Sequence, residues 1–170
     1  MRKDDIVGLN AKDFAKKHRV NARKIKKWYD AGYLGKASKN ETTGVYDIPE
    51  DTPLPYKADS RVKKTPTLWL ELLDAAQNQC AVFPSMYPRL QQGTFEKQLS
   101  YLAESDLIKI VRTESGGEYL ELCMSGYEMM NRLSNPERQK VFSKVNQAIQ
   151  SGCSVIQAFC AITTLLQTVA

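Results

Sequence analysis

The densest group of chemically useful side chains in this sequence is basic and lies between Lys12 and Lys27. These sixteen residues carry eight Lys and Arg side chains against one acidic side chain, Asp13. Cationic side chains at this density neutralise phosphates and gain affinity by releasing counterions. Arginine can also pair with guanine, and asparagine with adenine, through two hydrogen bonds each. The chemistry that these residue types favour is the binding of a polyanion such as a nucleic acid.

Two short helices are predicted to carry the basic residues. Asn10 is expected to cap the first helix, and Asn21 to cap a second that ends near Gly32. Ile25 and Trp28 lie three residues apart, so they share one face and predict a buried side for the second helix. The rest of that helix is basic, and residues near its start could reach base edges.

The segment after Gly32 is predicted to form a hairpin. The runs YLGKA and GVYDIP are strand-like, and the polar SKNETTG separates them. Such a hairpin would carry Lys36 and Lys39 towards a phosphate backbone. The alternative interpretation of the basic helix is an ordinary solvated surface, although such a surface usually mixes charges of both signs.

The segment VNARKIKKWYDAGYL resembles the start of MerR-type and excisionase-type winged helix-turn-helix domains, and the resemblance covers residues 9–56. It implies a compact domain whose second helix enters the major groove of double-stranded DNA. It also implies core roles for Ile25, Trp28 and Leu34. The side chains predicted to bind DNA are Asn21, Ala22, Arg23, Lys24, Lys26, Lys27, Lys36, Lys39, Lys17 and Arg19.

Composition divides the chain into four parts. Residues 1–56 form the basic domain, 57–66 a polar linker, 67–133 a second domain, and 134–170 an apolar C-terminal helix or helical hairpin. Up to Lys64 the chain holds sixteen Lys and Arg against nine Asp and Glu, whereas the remainder holds eight against ten. The overall net charge is +5, and the N-terminal part carries the excess of positive charge. This part is therefore expected to bind the polyanion.

The second domain is predicted to repeat the same order of elements with little positive charge. Its apolar spacing predicts a helix over TPTLWLELLDAAQN, a second helix capped by Thr94, a hairpin, and a closing helix capped by Ser125. The segment from Leu99 to Met130 resembles MarR-like and phage-associated winged-helix domains. Because its second helix offers only one cation, Lys97, two roles are open: packing or dimerisation, and base reading beside the first domain.

The C-terminal segment has no charged side chain from Val145 onwards. Its apolar residues recur at alternating steps of three and four, which favours self-association as a homodimer through residues 137–169. A helical hairpin broken at Gly152 is one alternative, and association with a membrane is another. The side chains predicted to form the oligomerisation surface are Val145, Ala148, Val155, Phe159, Ile162 and Leu166.

The residues that could do catalysis or hold a metal are few. The chain has one histidine and four cysteines without a CxxC pair, so no zinc site is expected. No phosphate-cradling or nucleophile motif occurs, and no enzymatic activity or cofactor is predicted. The cysteines are expected to be reduced and mostly buried, as in a cytoplasmic protein, and no secretory signal is recognised at the N-terminus.

The sequence therefore predicts a mainly α fold with small β-hairpin wings, arranged as tandem winged helix-turn-helix domains plus a C-terminal helical tail. The predicted function is DNA binding, as a sequence-specific transcriptional regulator of bacterial or phage origin. The alternative is a phage- or bacteria-encoded adaptor or inhibitor that uses its winged-helix modules to bind protein or RNA.

Overall fold

The computed structural model describes residues 8–168, except for the side chains of residue 163 and residues 165–168. Within this range the chain is mainly helical and has small antiparallel sheets, as predicted. The helices are α1 (Ala11–Lys17), α2 (Ala22–Asp30), α3 (Thr65–Gln77), α4 (Thr94–Glu104), α5 (Met124–Arg132), α6 (Asn135–Gln150) and α7 (Val155–Thr168). The strands are β1 (Gly8–Leu9), β2 (Ser38–Lys39), β3 (Tyr46–Pro49), β4 (Ile108–Arg112) and β5 (Glu118–Leu122).

The predicted caps of the first two helices are confirmed. Asn10 Oδ1 accepts hydrogen bonds from the backbone N–H groups of Lys12 and Asp13, both at 3.0 Å. Asn21 Oδ1 accepts a hydrogen bond of 2.8 Å from the backbone N–H of Arg23. Each bond satisfies a donor that the first turn of a helix leaves free. Between the two helices the chain turns at Arg19, whose φ of 53° is left-handed.

The hairpin of the first half is shifted from its predicted position. The first strand was expected in YLGKA, but the chain turns there, with positive φ angles at Gly32 and Gly35. These glycines adopt a conformation that other residues rarely take, so the extended strand starts only at Ser38. β2 pairs antiparallel with β3, and β1, which the sequence analysis did not predict, pairs with the other edge of β3.

The second half contains the larger core. α3 buries its apolar face, and the β4–β5 hairpin turns Leu120 and Leu122 inwards. The buried residues of α3 include Leu68, Trp69, Leu72, Leu73 and Ala76. Two predicted caps are wrong. Thr94 is the first helical residue of α4, because Gly93 adopts a φ of 77° and takes the capping position. α5 starts at Met124 after Cys123, which places Ser125 inside its first turn.

The C-terminal segment folds back as the helical hairpin, with Gly152 at a φ of 97° in the turn between α6 and α7. Trp69 of α3 packs edge-on against Phe142 of α6 and Phe159 of α7, with ring centroids 5.3 and 5.2 Å apart. The apolar side chains of the C-terminal segment thus cover α3 of the same chain. None of the helices within residues 8–168 combines the length and apolar character needed to cross a bilayer.

Several of the predicted oligomerisation residues are used by this internal packing. Val145, Phe159 and Ile162 are buried in the chain's own core, and Ala148 and Val155 are half-buried. The side chain of Leu166 lies outside the described residues. Self-association would therefore need the side chains of α6 and α7 that remain exposed.

The two halves contact each other through backbone and aromatic groups. The N–H of Ala81 donates to Leu54 O and the N–H of Tyr56 donates to Ala81 O, both at 2.8 Å. Tyr33 stacks on Phe83, with ring centroids 4.7 Å apart. Residues 57–66 lie against the second half, since Val62 is buried in its core.

The four cysteines are free thiols. Cys80 and Cys123 are half-buried, whereas Cys153 and Cys160 are exposed. The expectation that they would be mostly buried is therefore wrong. Cys153 precedes α7 in the exposed turn and Cys160 lies on the side of α7 that does not face α3, so the core cannot cover either one.

Candidate nucleic-acid interface

The inner face of α2 is fixed by the small core of the first half. Ile25 is fully buried there with Phe14, Leu34 and Ile48. Trp28, predicted to be core, is half-buried against the same cluster. Because one side of α2 is locked in this way, the opposite side must face outwards.

The outer face of α2 is basic. Arg23, Lys24, Lys26 and Lys27 are all exposed, and within residues 8–168 none of them forms an ion pair. Arg23 and Lys27 are one turn apart and lie on the side opposite Ile25. Uncompensated like charges on one helix repel each other. The approach of a polyanion to this face relieves that repulsion and is electrostatically favourable.

The start of α2 serves two roles that compete. Asn21 was predicted to read bases, and its side-chain oxygen is already engaged in capping Arg23 N–H. A two-bond contact with adenine would need that oxygen as well as the amide nitrogen. Asn21 is therefore equipped to hold the helix end and to donate from its amide, and Arg23 is the better placed group for reading. Ala22 is exposed beside them.

Lys17 and Arg19, at the end of α1 and in the turn, differ in their surroundings. Lys17 Nζ donates to a carboxylate oxygen of Glu50 at 3.0 Å and to the Glu50 carbonyl at 3.2 Å, so its charge is already compensated. Arg19 is exposed in the turn that leads into α2 and makes no ion pair with any described residue. Of these two side chains, Arg19 is the one whose positive charge no described residue compensates.

His18 ends α1 and is turned towards the interior. Its ring lies 4.5 Å from that of Phe14, and its Nε2 is buried without a hydrogen-bond partner among the described residues. Burial lowers the pKa of His18, and the charge of Lys17 lowers it further. The imidazole is therefore neutral near pH 7 and adds no charge to the interface.

The two lysines assigned to the hairpin are separated by the fold. Lys39 lies on β2, and its Nζ is 5.5 Å from the centroid of the Tyr46 ring, a cation–π arrangement on the hairpin surface. The Lys36 side chain lies beside Gly116 in the β4–β5 turn, where an added β-carbon would be 3.2 Å from Lys36 Cε. Lys36 therefore lies at the junction of the two halves, and only Lys39 remains on the hairpin.

Tyr29 and Tyr46 position the hairpin relative to α2, and the sequence analysis assigned neither of them a role. Their rings meet edge-on with centroids 5.2 Å apart, which joins the last turns of α2 to β3. Asn40 shapes the connecting loop by accepting hydrogen bonds from the N–H groups of Thr42 and Thr43. Tyr29, an aromatic residue directly after Trp28, is the sequence signal that could have indicated this contact.

The second helix of the second half, α4, offers a different surface from that of α2. Gln98 of α4 is buried, and its Oε1 lacks a hydrogen-bond partner among the described residues. Lys97 Nζ lies 5.7 Å from the Tyr101 ring centroid and is flanked by Glu96. Within the described residues, α4 therefore has no basic face comparable with that of α2.

Residues 8–168 contain no group of three or more His, Cys, Asp or Glu side chains placed to hold a metal ion. The strongest candidate for a functional site is accordingly the cationic face of α2 together with Arg19 and Lys39. No family model, curated protein or solved structure was found to match this chain.

Proposed function

We propose that the protein is a cytoplasmic DNA-binding protein, a sequence-specific transcriptional regulator of a bacterium or a phage, built from tandem winged helix-turn-helix domains. The observation that carries the proposal is the uncompensated cationic face of α2. Arg23, Lys24, Lys26 and Lys27 are exposed and make no ion pair with any described residue, while Ile25 anchors the opposite side. The order of helix, turn, basic helix and hairpin supports the same function.

In this proposal α2 lies in the major groove, and each basic residue contacts bases or phosphates according to its position on the helix. Arg23, near the start of α2, hydrogen-bonds a guanine edge, and Lys26 lies on the same side one turn further on. Lys24 and Lys27, which lie one helical turn apart on the other side of this face, contact phosphates. Lys39 on the hairpin, held over Tyr46, contacts the backbone beyond them.

The resemblance of residues 9–56 to MerR-type and excisionase-type domains supports this docking geometry. A homodimer would place two copies of α2 on half-sites about 34–36 Å apart, one turn of DNA. Ile156 on α7, which is 59% exposed, is one apolar side chain of the C-terminal hairpin that could form such a contact.

Duplex binding measured across a salt series tests the proposal. Affinity should fall steeply with salt, and Lys27→Ala should reduce the slope of log K against log salt by about 0.9, the effect of one lost phosphate contact. Arg23→Ala should weaken binding to a selected sequence by about 1–3 kcal/mol and relax the preference at one base pair. Lys63→Ala, in the exposed segment before α3, is the matched control and should change neither quantity.

Binding sequences would first be selected from a random duplex pool. Weak binding without sequence preference, unchanged in Arg23→Ala, would contradict the proposal. Loss of binding in Lys63→Ala equal to that in Lys27→Ala would also contradict it, because any surface cation would then serve.

The second candidate function is that of an adaptor or inhibitor that binds a protein or RNA. It is favoured by exposed apolar side chains on the second half, namely Met124 at 74%, Ile110 at 46% and Tyr127 at 44% exposure. Large apolar groups in contact with water are typical of surfaces that meet a partner. Recovery of one protein partner that is lost in Met124→Ser, combined with weak DNA binding, would favour this function over the first.

A further inference from the structure

The hairpin of α6 and α7 contains an apolar groove that the proposed DNA-binding function does not use. Its volume is about 360 Å³, within the size range of small-molecule pockets. Val141, Val145 and Ala148 of α6 form one wall, and Ala158, Ala161 and Ile162 of α7 form the other. Cys153, in the turn between the helices, closes one end.

The groove exists because small side chains face each other where the two helices cross. Ala148, Ala158 and Ala161 leave space that Leu or Phe at the same positions would fill. The layer beneath is rigid, since Phe142 and Phe159 are fixed against Trp69. The cavity is therefore preformed by the packing of the hairpin on α3.

The charged side chains among the described residues that line the groove are both positive. Lys140 and Lys144 are one helical turn apart on α6 and border the apolar wall, and both are exposed. Neither forms a direct ion pair or hydrogen bond with a described residue. Glu137, one turn before Lys140 on α6, interacts with Lys140 through its charge, but no acidic side chain among the described residues lines the groove. Two adjacent cations beside an apolar wall favour a ligand with an anionic head and an aliphatic tail.

We propose that this groove binds a free medium-chain fatty acid. The carboxylate lies between Lys140 and Lys144, and the alkyl chain runs over Val141, Val145 and Ala148 towards the turn. Residues 140–148 of α6 span about 12 Å at 1.5 Å per residue, which suits an extended chain of medium length. The site is independent of α2, so its test does not involve DNA.

A second copy of the chain is a poorer occupant of the groove. From Val145 to the C-terminus the sequence has no acidic side chain that could pair with the two lysines. A symmetric contact across the groove would also bring Lys140 and Lys144 of both copies into one interface, where like charges repel. A carboxylate avoids this repulsion and compensates both cations.

Calorimetric titration of the full chain with sodium octanoate, decanoate and dodecanoate, each as monomers, tests the proposal. One molecule should bind per chain, with affinity rising about fourfold for each added methylene until the groove is filled. Decyltrimethylammonium, which has the same tail and the opposite charge, should bind at least tenfold more weakly than decanoate.

Two variants identify the site. The double substitution Lys140→Gln and Lys144→Gln removes the charges from an exposed surface and should weaken decanoate binding by about tenfold. Ala161→Phe fills the groove from its exposed edge and should abolish binding. Lys63→Gln with Lys64→Gln, exposed lysines at the start of α3, is the matched control and should leave the affinity unchanged.

Several results would overturn the proposal. Equal affinity for decanoate and decyltrimethylammonium, or unchanged affinity in the double lysine variant, would show that charge does not select the ligand. A fall in sedimentation mass of the ligand-free protein on Ala161→Phe would show that a second copy occupies the groove. Binding to anionic phospholipid vesicles without binding of monomeric decanoate would show that the partner is a bilayer surface.

Discussion

Asp51 Oδ2 accepts a hydrogen bond of 2.9 Å from the backbone N–H of Ser115, a residue 64 positions further along the chain. This contact joins the end of the first half to the turn between β4 and β5. Thr113 completes the turn, with its hydroxyl 3.0 Å from that of Ser115. One carboxylate therefore helps to fix how the basic helix α2 sits relative to the second half.

Replacing Asp51 with Ala should destabilise the protein by about 1–3 kcal/mol, because the N–H of Ser115 would stay buried without an acceptor. Asp51→Asn keeps an acceptor and should cost less. Urea unfolding followed by circular dichroism measures both changes. Glu41→Ala, in the exposed loop between β2 and β3, is the control, and an equal loss in that variant would contradict the assigned role of Asp51.

The same contact predicts a pH dependence. Burial tends to raise the pKa of Asp51, but hydrogen bonds from Ser115 outweigh it and hold that pKa below its ordinary value of 3.8. The folded state thus favours the ionised carboxylate, and its stabilisation is complete above pH 3.8. It should be lost as the pH falls through the folded-state pKa, and Asp51→Asn should reduce that acid-side loss of stability.

Glu71 should make the stability of the fold depend on pH in the opposite direction to Asp51. Burial on α3 raises its pKa above the ordinary value of 4.5, and the charges of Asp59 and Asp74 act in the same direction. The folded state therefore holds this proton more tightly than the unfolded chain, and the contribution of Glu71 to stability decreases as the pH rises above 4.5.

Glu71→Gln should remove this effect, since an amide oxygen can still accept the hydrogen bond from Asp59 N–H, which is 3.0 Å long. The variant should gain stability over the wild type as the pH rises from 4.5 to 7. Urea midpoints measured across that interval test the effect. Parallel pH profiles for the two proteins would show that Glu71 is not responsible. Glu114→Gln, on an exposed turn, should leave the profile unchanged.

Two residues of α7 provide a matched test of the C-terminal hairpin. Phe159→Ala should destabilise the fold by about 3–5 kcal/mol, because its ring is buried against Trp69 and Phe142. Cys160→Ala, at an exposed side chain of α7, should change stability by no more than about 0.5 kcal/mol. Urea unfolding followed by far-UV circular dichroism measures both changes. Equal, small effects would mean that α7 does not cover α3.

Local signals in the sequence predicted much of the first half and of the candidate site. The caps at Asn10 and Asn21 and the apolar spacing around Ile25 act within one or two helical turns, so they could be read without the fold. The same holds for α3, where apolar periodicity identified the buried face. The exposed cations of α2 followed from these faces, because a helix with one side buried must present the other side to solvent.

Signals that depend on more distant partners were read less well. The strand predicted in YLGKA became a turn because Gly32 and Gly35 adopt left-handed angles, and β1 became a strand only by pairing with β3. Lys17 and Lys36 look like further DNA contacts in the sequence. Glu50 compensates the charge of Lys17, and the side chain of Lys36 lies at the junction between the two halves of the chain.

The sequence by itself determined the order of helices and hairpins and the concentration of positive charge on α2, because periodicity, caps and charge are local properties. Tertiary structure decided where the uncharged C-terminal seam is buried. From the sequence alone, an apolar helix face is equally compatible with binding a second copy, a membrane or another part of its own chain. The packing of Trp69 against Phe142 and Phe159 shows that α6 and α7 fold back onto α3. The groove between those helices exists only in that packed arrangement.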